Sequence, residues 1–342
     1  MIKSIHFQNI KALRDATLSL GRFTLIVGAN GSGKSTAMEA LKLANKPSNT
    51  DFRQIATANL KRVAGATAKI VIDWDAGNTK VESETKWQHV NKMQDDNYGP
   101  DFRDAFSQPL DDALTFVLRN ALASFRIFSF DANAIAKPVL LRSNIELQPN
   151  GSNLAGVLDN LRDNEPERFE ALNEELGRWL PEFDRILFDT TSEGEREFLL
   201  RTSIGKHRIQ AHDLSHGVLF ALAFLTLSYL PNPPAIVCFE EPERGIHPRL
   251  LREIQDAMYR LCYPENYNDN RRPIQVIATT HSPYLLDLYK DHPEEIVIAH
   301  KDQDMTRFER LSERPDIDKF LQDAPLGDVW YSGILGGVPL TP

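Results

Sequence analysis

A glycine-rich loop between a predicted strand and a predicted helix constrains the fold more than any other feature. Residues 28–35 read GANGSGKS, which fits the pattern G-x-x-x-x-G-K-[ST], and Thr36 follows. The preceding run 23–27 is apolar enough for a strand buried on both faces, and 35–43 is rich in helix formers. Strand, glycine loop and helix in this order predict a phosphate-binding P-loop in an α/β sheet.

The chemistry of a P-loop assigns a role to each part of this segment. Its glycines allow backbone amides to point towards phosphates, and the following helix presents its N-terminus to negative charge. Lys34 can reach the β- and γ-phosphates, and the Ser35 hydroxyl can ligate Mg²⁺. The position between strand and helix disfavours a glycine-rich turn with an incidental lysine. ATP and Mg²⁺ are therefore the predicted cofactors.

Two adjacent glutamates close a second apolar strand. The run 235–239 is followed at once by Glu240 and Glu241. Parallel strands deliver the side chains at their carboxyl ends to the edge where a P-loop also lies. One acid can therefore hold the Mg²⁺ shell while the other polarises the attacking water. Paired acids also occur in solvated loops, and the P-loop upstream favours the catalytic interpretation of this Walker B pattern.

Two shorter fragments accompany these motifs. Residues 214–217 (LSHG) open a predicted helix, and 280–283 (THSP) follow the next predicted strand. Ser215 and the amides near Gly217 can form an anion site for a second subunit, because the chain's own P-loop already has its own helix. Alone, a Ser-x-Gly is usually an N-cap, and a histidine after a strand is usually structural. The order and spacing of all four fragments favour one composite site.

Composition limits the class of protein. The chain has 342 residues, 42% hydrophobic and 25% charged, which is enough for a large buried core. Its net charge of −9 argues against a broadly basic surface, and nucleic acid is neither implied nor excluded. Cys238 and Cys262 lack disulfide or zinc spacing, and the longest apolar run, 218–230, is too short for a bilayer. Without a signal peptide pattern, we expect a cytoplasmic protein with no membrane partner.

Three fragments carry a resemblance to a known family. The segments LSHG (214–217), EEPERGIHP (240–248) and ATTHSP (278–283) resemble the ABC-type ATPase heads of the SMC, RecF and overcoming-lysogenization-defect (OLD) branch. Within it, the chain most resembles stand-alone AAA family ATPases with ABC-like motifs, many of which belong to bacterial anti-phage or DNA-repair systems. The resemblance spans nearly the whole chain. It implies an α/β P-loop NTPase of ABC-ATPase type, with a mixed sheet and an inserted, mostly helical lid.

The resemblance also implies residue roles. Glu241 takes the position of the catalytic glutamate, and Glu240 that of the acid that holds Mg²⁺ together with Ser35. His281 matches the switch histidine that senses the γ-phosphate and joins Glu241 and Lys34 as a catalytic residue. Residues 245–248 lie where the D-loop lies. The implied nucleotide-contacting residues are Asn30, Gly31, Ser32, Gly33, Lys34, Ser35, Thr36, Ser215 and Gly217.

Several positions depart from the family pattern. Glu240 stands where Asp is commoner, and its extra methylene affects Mg²⁺ geometry and turnover more than nucleotide binding. His216 replaces a glycine or serine. The Q-loop glutamine is either Gln54 or Gln88. The residues after His300 are too few for the Toprim module of OLD nucleases, so we do not expect the chain itself to be a nuclease.

These patterns predict three consecutive segments. Residues 1–85 form the N-terminal core lobe with the P-loop, 86–200 the inserted lid, and 201–342 the C-terminal lobe with the signature, Walker B and switch histidine. An apolar stripe at helical spacing in 166–180 is interpreted as core. The tail 326–333, with two large aromatic residues, either docks an effector or covers the sheet of its own domain.

The predicted function is that of an ABC-type head that dimerises around ATP, as a homodimer or higher homo-oligomer. Hydrolysis would control a separate, nuclease-like effector in anti-phage defence or DNA repair. Glu240 motivates an alternative, a nucleotide-gated scaffold with little turnover. A transporter ATPase subunit is disfavoured by the large middle insertion and by the EEPERGIHP segment.

Overall fold

The chain alternates between two compact units in a computed structural model. Residues 1–45, 56, 66–76, 79–88, 103–106, 112–142, 145–302, 305–315, 317 and 324–335 are described. Unit 1 comprises Met1–Arg126, Ala235–Cys238 and Gln275–Pro342, and unit 2 comprises Ile127–Pro234 and Phe239–Ile274. The units interleave along the chain, whereas the sequence predicts three consecutive segments, a division that stays a prediction.

The described residues form the following strands and helices. The strands are β1 (Ile2–Ile10), β2 (Leu13–Ser19), β3 (Phe23–Gly28), β4 (Thr67–Ala76), β5 (Thr79–Gln88), β6 (Arg103–Phe106), β7 (Arg126–Phe128), β8 (Phe183–Thr190), β9 (Arg196–Thr202), β10 (Arg208–Gln210), β11 (Ile236–Glu240), β12 (Gln275–Thr280), β13 (Ile296–Asp302) and β14 (Met305–Arg310). The helices are α1 (Lys34–Asn45), α2 (Asp112–Ala123), α3 (Ala132–Ile135), α4 (Leu154–Asn164), α5 (Pro166–Trp179), α6 (His216–Tyr229), α7 (Leu251–Cys262), α8 (Pro283–Asp287) and α9 (Leu326–Tyr331).

An antiparallel sheet of order β2-β1-β4-β5-β6 lies in unit 1. Strand β1 alternates between buried and more exposed residues, and its buried residues are Ile2, Ile5, Phe7 and Ile10. This period-two pattern identifies the strand in the sequence, because one face packs on the core.

A second sheet, of order β14-β13-β3-β12-β11-β7, carries the P-loop strand. β3 is buried along its whole length because it lies between β12 and β13, both parallel to it. β14 turns back antiparallel to β13 and forms a hairpin with it, so the sheet is mixed, as predicted. Thr280 lies beside Val27 and Ala299 beside Gly28 in the register. The carboxyl ends of β3 and β12 therefore meet at one edge.

Unit 2 combines helices with a small antiparallel sheet of order β10-β9-β8. Helix α5 buries Phe169, Leu172 and Leu176, which confirms the interpretation of its apolar stripe as core. Helix α6 is apolar on all sides and correspondingly buried over most of its length. None of the helices in the described ranges is both long and apolar enough to cross a membrane.

An ion cluster ties α5 to the segment before β12. The Arg168 guanidinium donates to both carboxylate oxygens of Asp269, at 3.0 and 2.8 Å, and Arg271 Nε lies 3.0 Å from the same carboxylate. Burial raises the pKa of Asp269, but the Arg168 hydrogen bond and the Arg271 charge outweigh it, so the pKa is lowered. The carboxylate therefore stays ionised at neutral pH.

The tail helix α9 packs on α8, the helix that follows the switch histidine. Gly327 N donates to Asp287 Oδ1 at 2.6 Å, and a Cβ at Gly327 would lie 2.6 Å from the Pro283 carbonyl oxygen. Trp330 is 6% exposed and Tyr331 is 80% exposed. The first aromatic residue therefore covers its own unit, as one of the two interpretations requires, and the second faces outward.

Candidate nucleotide-binding site

The P-loop leaves the carboxyl end of β3 through a turn with no room for side chains. A Cβ at Gly28 would lie 2.5 Å from Ser32 Oγ and 2.6 Å from the Ala299 carbonyl oxygen. Gly31 and Gly33 have φ of 73° and 96°, the left-handed region that favours glycine. The glycines predicted from the motif are therefore required by close approach at Gly28 and by backbone conformation at the other two positions.

Helix α1 begins at Lys34, directly after this loop. The Lys34 side chain is 5% exposed, and its Nζ donates to the carbonyls of Gly28 at 2.7 Å and Ala29 at 3.1 Å. Ser35 is exposed and Thr36 half-buried in the first turn of the helix, and Asn30 is exposed on the loop. The predicted phosphate-contacting residues are thus gathered at one helix N-terminus, where anions bind favourably.

The loop contains polar groups whose hydrogen-bonding capacity is unused. Ser32 Oγ is buried without a hydrogen-bond partner among the described residues, and so is Thr306 Oγ1 next to Gly33. Orphaned buried hydroxyls are costly and call for a partner such as a ligand or water. Together with the left-handed glycines and the Lys34 ammonium, they fit the phosphate chain of a nucleotide.

His281, the predicted switch histidine, lies at the same edge of the sheet as the P-loop. His281 directly follows β12, whose last residue, Thr280, is paired with Val27, one residue before Gly28. Ser282 N donates to Thr280 Oγ1 at 2.9 Å, and Ser282 Oγ caps α8 by accepting from Leu285 N. These bonds on either side fix the backbone course of the half-buried His281.

The two glutamates follow β11, with their backbone in unit 2. Glu240 is the last residue of the strand, and Glu241 has φ of 48°, unusual for a residue other than glycine. Arg244 N donates to the Glu241 carbonyl oxygen at 2.8 Å and closes a turn. Non-glycine residues held in this region cluster at functional sites. The strained position thus coincides with the predicted catalytic glutamate.

A small cavity of about 30 Å³ lies beside both glutamates in unit 2. Its other lining residues are Phe128, Ser129, Phe130, Phe220, Phe224, Pro242 and Arg244. This volume accommodates a water molecule or two. The sequence does not single out Ser129, which stands in no motif and reaches the glutamates only through the fold. Arg244 lies within the EEPERGIHP segment, but no role was assigned to it there.

The signature fragment starts helix α6 and contacts the D-loop position. Ser215 is the N-cap, and its Oγ accepts from Val218 N at 3.4 Å. A Cβ at Gly217 would lie 3.2 Å from the Gly245 carbonyl oxygen, and one at Gly245 would lie 2.7 Å from the Phe220 ring. The two fragments therefore form one local structure. Ser215 and His216 are exposed.

The Q-loop glutamine stays open. Gln54 lies outside the described residues, and Gln88 is the last residue of β5, paired with Thr67. The other predicted site residues divide between the units. The P-loop and His281 belong to unit 1, and Glu240, Glu241, Ser215 and Gly217 belong to unit 2.

We expect Gly33→Ala to lower the melting temperature more than Gly194→Ala does. Both glycines have positive φ, but a Cβ at Gly33 would lie 2.4 Å from Thr306 Oγ1, whereas a Cβ at Gly194 meets no atom within 4 Å. Both variants carry about 1 kcal/mol or more of backbone strain, and overpacking adds about 1–3 kcal/mol at Gly33 alone. Thermal unfolding without nucleotide measures the difference. Equal decreases in melting temperature would show that the Thr306 side chain moves aside at no cost in stability.

A P-loop on a mixed α/β sheet, accompanied by the predicted signature, Walker B and switch fragments, is typical of P-loop ATPase heads of the ABC and SMC type. Comparison with known proteins agrees. The chain belongs to the family described as "AAA domain, putative AbiEii toxin, Type IV TA system", which it matches over residues 23–287.

Solved structures of SMC heads share the fold. An SMC head bound to the C-terminal winged-helix domain of ScpA aligns with a TM-score of 0.59 at 12% identity, over 90% of this chain and 97% of that one. A Pyrococcus furiosus SMC head bound to the C-terminal domain of ScpA aligns with a TM-score of 0.56 at 13% identity, over 94% of this chain and 99% of that one. The Thermotoga maritima SMC head domain aligns with a TM-score of 0.51 at 13% identity, over 90% of this chain and 98% of that one. The predicted fold class and SMC-branch resemblance are confirmed.

A transport protein matches over a short stretch. The macrolide export ATP-binding/permease protein MacB of Photorhabdus laumondii is 50% identical over 48 residues, which is 14% of this chain and 7% of MacB. The similarity is therefore confined to a small part of either protein.

Proposed function

We propose that the chain binds ATP with Mg²⁺ and hydrolyses it at a site completed by a second copy of the same head. The observation that supports this proposal is the preformed conformation of the P-loop. Gly31 and Gly33 hold left-handed φ angles, and Lys34 Nζ is bonded to carbonyls of the loop itself. A lysine positioned in this way can exchange those carbonyls for phosphate oxygens with little rearrangement.

Each residue has one task in the proposed reaction. Lys34 neutralises phosphate charge, and the Ser35 hydroxyl and Glu240 carboxylate hold Mg²⁺. Bound ATP with Mg²⁺ supplies the phosphoanhydride bond that is cleaved. Glu241 orients a water and accepts its proton, and the cavity beside it has room for that water. His281 contacts the γ-phosphate and reports on its presence.

The exposed signature motivates the second head. Ser215 and His216 are exposed at the start of α6, a helix of 14 residues whose N-terminus favours an anion. The P-loop in turn is followed by its own helix, α1. In the proposed dimer, each signature contacts the nucleotide held by the other head, and hydrolysis reopens the dimer.

Mixing two inactive variants tests this shared site. Lys34→Ala removes the P-loop cation, whereas Ser215→Asp keeps an N-cap side chain but places a carboxylate against the phosphates. Only the mixed dimer has an intact P-loop facing an intact signature. An equimolar mixture should therefore recover about a quarter of the wild-type phosphate release, provided subunits exchange freely. Ser215→Asn, which caps without charge, is the matched control and should retain activity. No recovery in the mixture would contradict the shared site.

We further propose that the dimer controls a separate effector, of the nuclease class, in anti-phage defence or DNA repair. The family description, which names a putative toxin of a type IV toxin–antitoxin system, supports a defence setting. Co-expression with the product of the adjacent gene tests this. We expect a stable complex whose DNA or RNA degradation depends on Lys34. An adjacent product that neither binds nor degrades nucleic acid would contradict it.

One observation favours the second candidate, a nucleotide-gated scaffold with little turnover. Glu240 carries one methylene more than the usual aspartate. The longer side chain alters where its carboxylate can reach. Tight ATP binding with turnover near background would favour the scaffold over the hydrolytic switch.

A further inference from the structure

The β13–β14 hairpin brings two residues outside every recognised motif to the P-loop. Lys301 and Thr306 are partners in the antiparallel register and therefore share one face of the hairpin. Lys301 Nζ lies 3.9 Å from the position that a Cβ at Gly31 would take. Thr306 Oγ1 lies 2.4 Å from the corresponding position at Gly33. The hairpin thus places these two side chains beside two glycines of the phosphate loop.

The hairpin is fixed to the strand that carries the loop. β13 runs parallel to β3, with Ala299 beside Gly28, so Lys301 stands two residues beyond the point where β3 ends. Thr306 N donates to the Ala12 carbonyl oxygen at 3.0 Å, which ties β14 to the turn between β1 and β2. The position of Lys301 beside the loop therefore follows from sheet register.

Charge and burial distinguish this pair from ordinary surface residues. Lys301 is exposed, and no ion pair within the described ranges of the chain involves it. Thr306 is 3% exposed, and its hydroxyl has no hydrogen-bond partner there. A cation beside a loop of inward-pointing amides adds to the positive potential that attracts phosphate. A buried hydroxyl without a partner indicates a group that another state of the site satisfies.

We propose that Lys301 is a second phosphate-binding cation of the nucleotide site, and that the buried Thr306 hydroxyl beside Gly33 gains its hydrogen-bond partner when the nucleotide binds. The ligand is the polyphosphate chain of a nucleoside triphosphate, so this inference rests on the proposed function. Lys34 binds the phosphates from within the loop, and Lys301 binds them from the hairpin that flanks Gly31. The long, flexible lysine side chain can cover the remaining distance.

Lys301→Gln tests the cation. We expect the Kd for ATP to rise about three- to tenfold at low ionic strength, because one partly screened charge contact is lost. The rise should be smaller for ADP, which carries less charge, and should shrink in high salt. Lys301→Arg keeps the charge and should restore most of the affinity. Isothermal titration calorimetry with ATP and ADP measures these constants.

Arg307→Gln is the matched control. It removes the same charge from the same hairpin, but Arg307 pairs with His300 on the opposite face, and its side chain is 70% exposed. We expect its ATP affinity to match that of the wild type. Equal effects of the two variants, or no effect of Lys301→Gln at either ionic strength, would overturn the proposed contact.

Thr306→Val tests the role of the buried hydroxyl on the hairpin. Valine keeps the shape of threonine but removes the orphaned hydroxyl, so the ligand-free melting temperature should stay the same or rise. The increase in melting temperature on adding ATP should nevertheless shrink. An undiminished ATP-dependent increase would contradict the role of the hydroxyl. If wild-type protein fails to bind ATP, or Lys34→Ala binds it normally, the proposed function itself is wrong.

Discussion

Replacing Glu241 by glutamine should lower ATP turnover by about 10²–10⁴-fold while leaving ATP binding intact. Glutamine preserves the size and shape of the side chain but cannot accept a proton from the attacking water. The left-handed backbone at Glu241 is retained because the substitution does not change the branching at Cβ. Phosphate release at saturating ATP measures turnover, and calorimetry measures binding separately.

A second outcome belongs to the same variant. If hydrolysis reopens the dimer, Glu241→Gln should accumulate as an ATP-bound dimer, which size-exclusion chromatography with light scattering detects. Glu193→Gln, at an exposed position between β8 and β9, is the matched control and should behave as the wild type. Normal hydrolysis by Glu241→Gln would show that the catalytic assignment is wrong. If the wild type also hydrolyses ATP only at the background rate, the result would favour the nucleotide-gated scaffold.

Lys34→Ala should have the largest effect on binding. The Lys34 ammonium is buried and aimed into the loop, and a charge-assisted contact of this kind contributes about 2–3 kcal/mol. We therefore expect the Kd for ATP to rise about 30- to 150-fold. Calorimetry or fluorescence anisotropy with a labelled nucleotide measures this change.

The control for Lys34→Ala lies on the same helix. Lys42→Ala removes an exposed lysine from the last turn of α1 and should leave ATP affinity unchanged. Circular dichroism should show that Lys34→Ala is folded, because the alanine also removes the bonds to the Gly28 and Ala29 carbonyls. A folded variant with wild-type affinity would refute a nucleotide at this P-loop.

Local patterns predicted much of the fold because they reflect local physics. The apolar run before Gly28 could only be a buried strand, and residues 28–35 require the tight turn and left-handed glycines that the structure contains. The buried face of helix α5 was likewise predictable, since its amphipathic period appears in consecutive residues.

Contacts between segments that are distant in sequence could not be predicted in the same way. The alternation of the chain between two units depends on which segments pack together, and periodicity carries no information on this point. The position of Ser129 beside the glutamates is of this kind. Residue roles at the site stay predictions, because a motif indicates chemistry and only measurements on variants test it.

The sequence by itself determined that a P-loop is present and predicted which lysine, hydroxyls and acids accompany it. That information lies in short segments whose backbone conformation is accessible to particular residues only, above all to glycine. Only the tertiary structure decided that Lys301 and Thr306, about 270 residues from the loop in sequence, lie against Gly31 and Gly33. The physical reason is sheet register: β13 pairs with β3 through backbone hydrogen bonds, which bring together side chains that no local pattern connects.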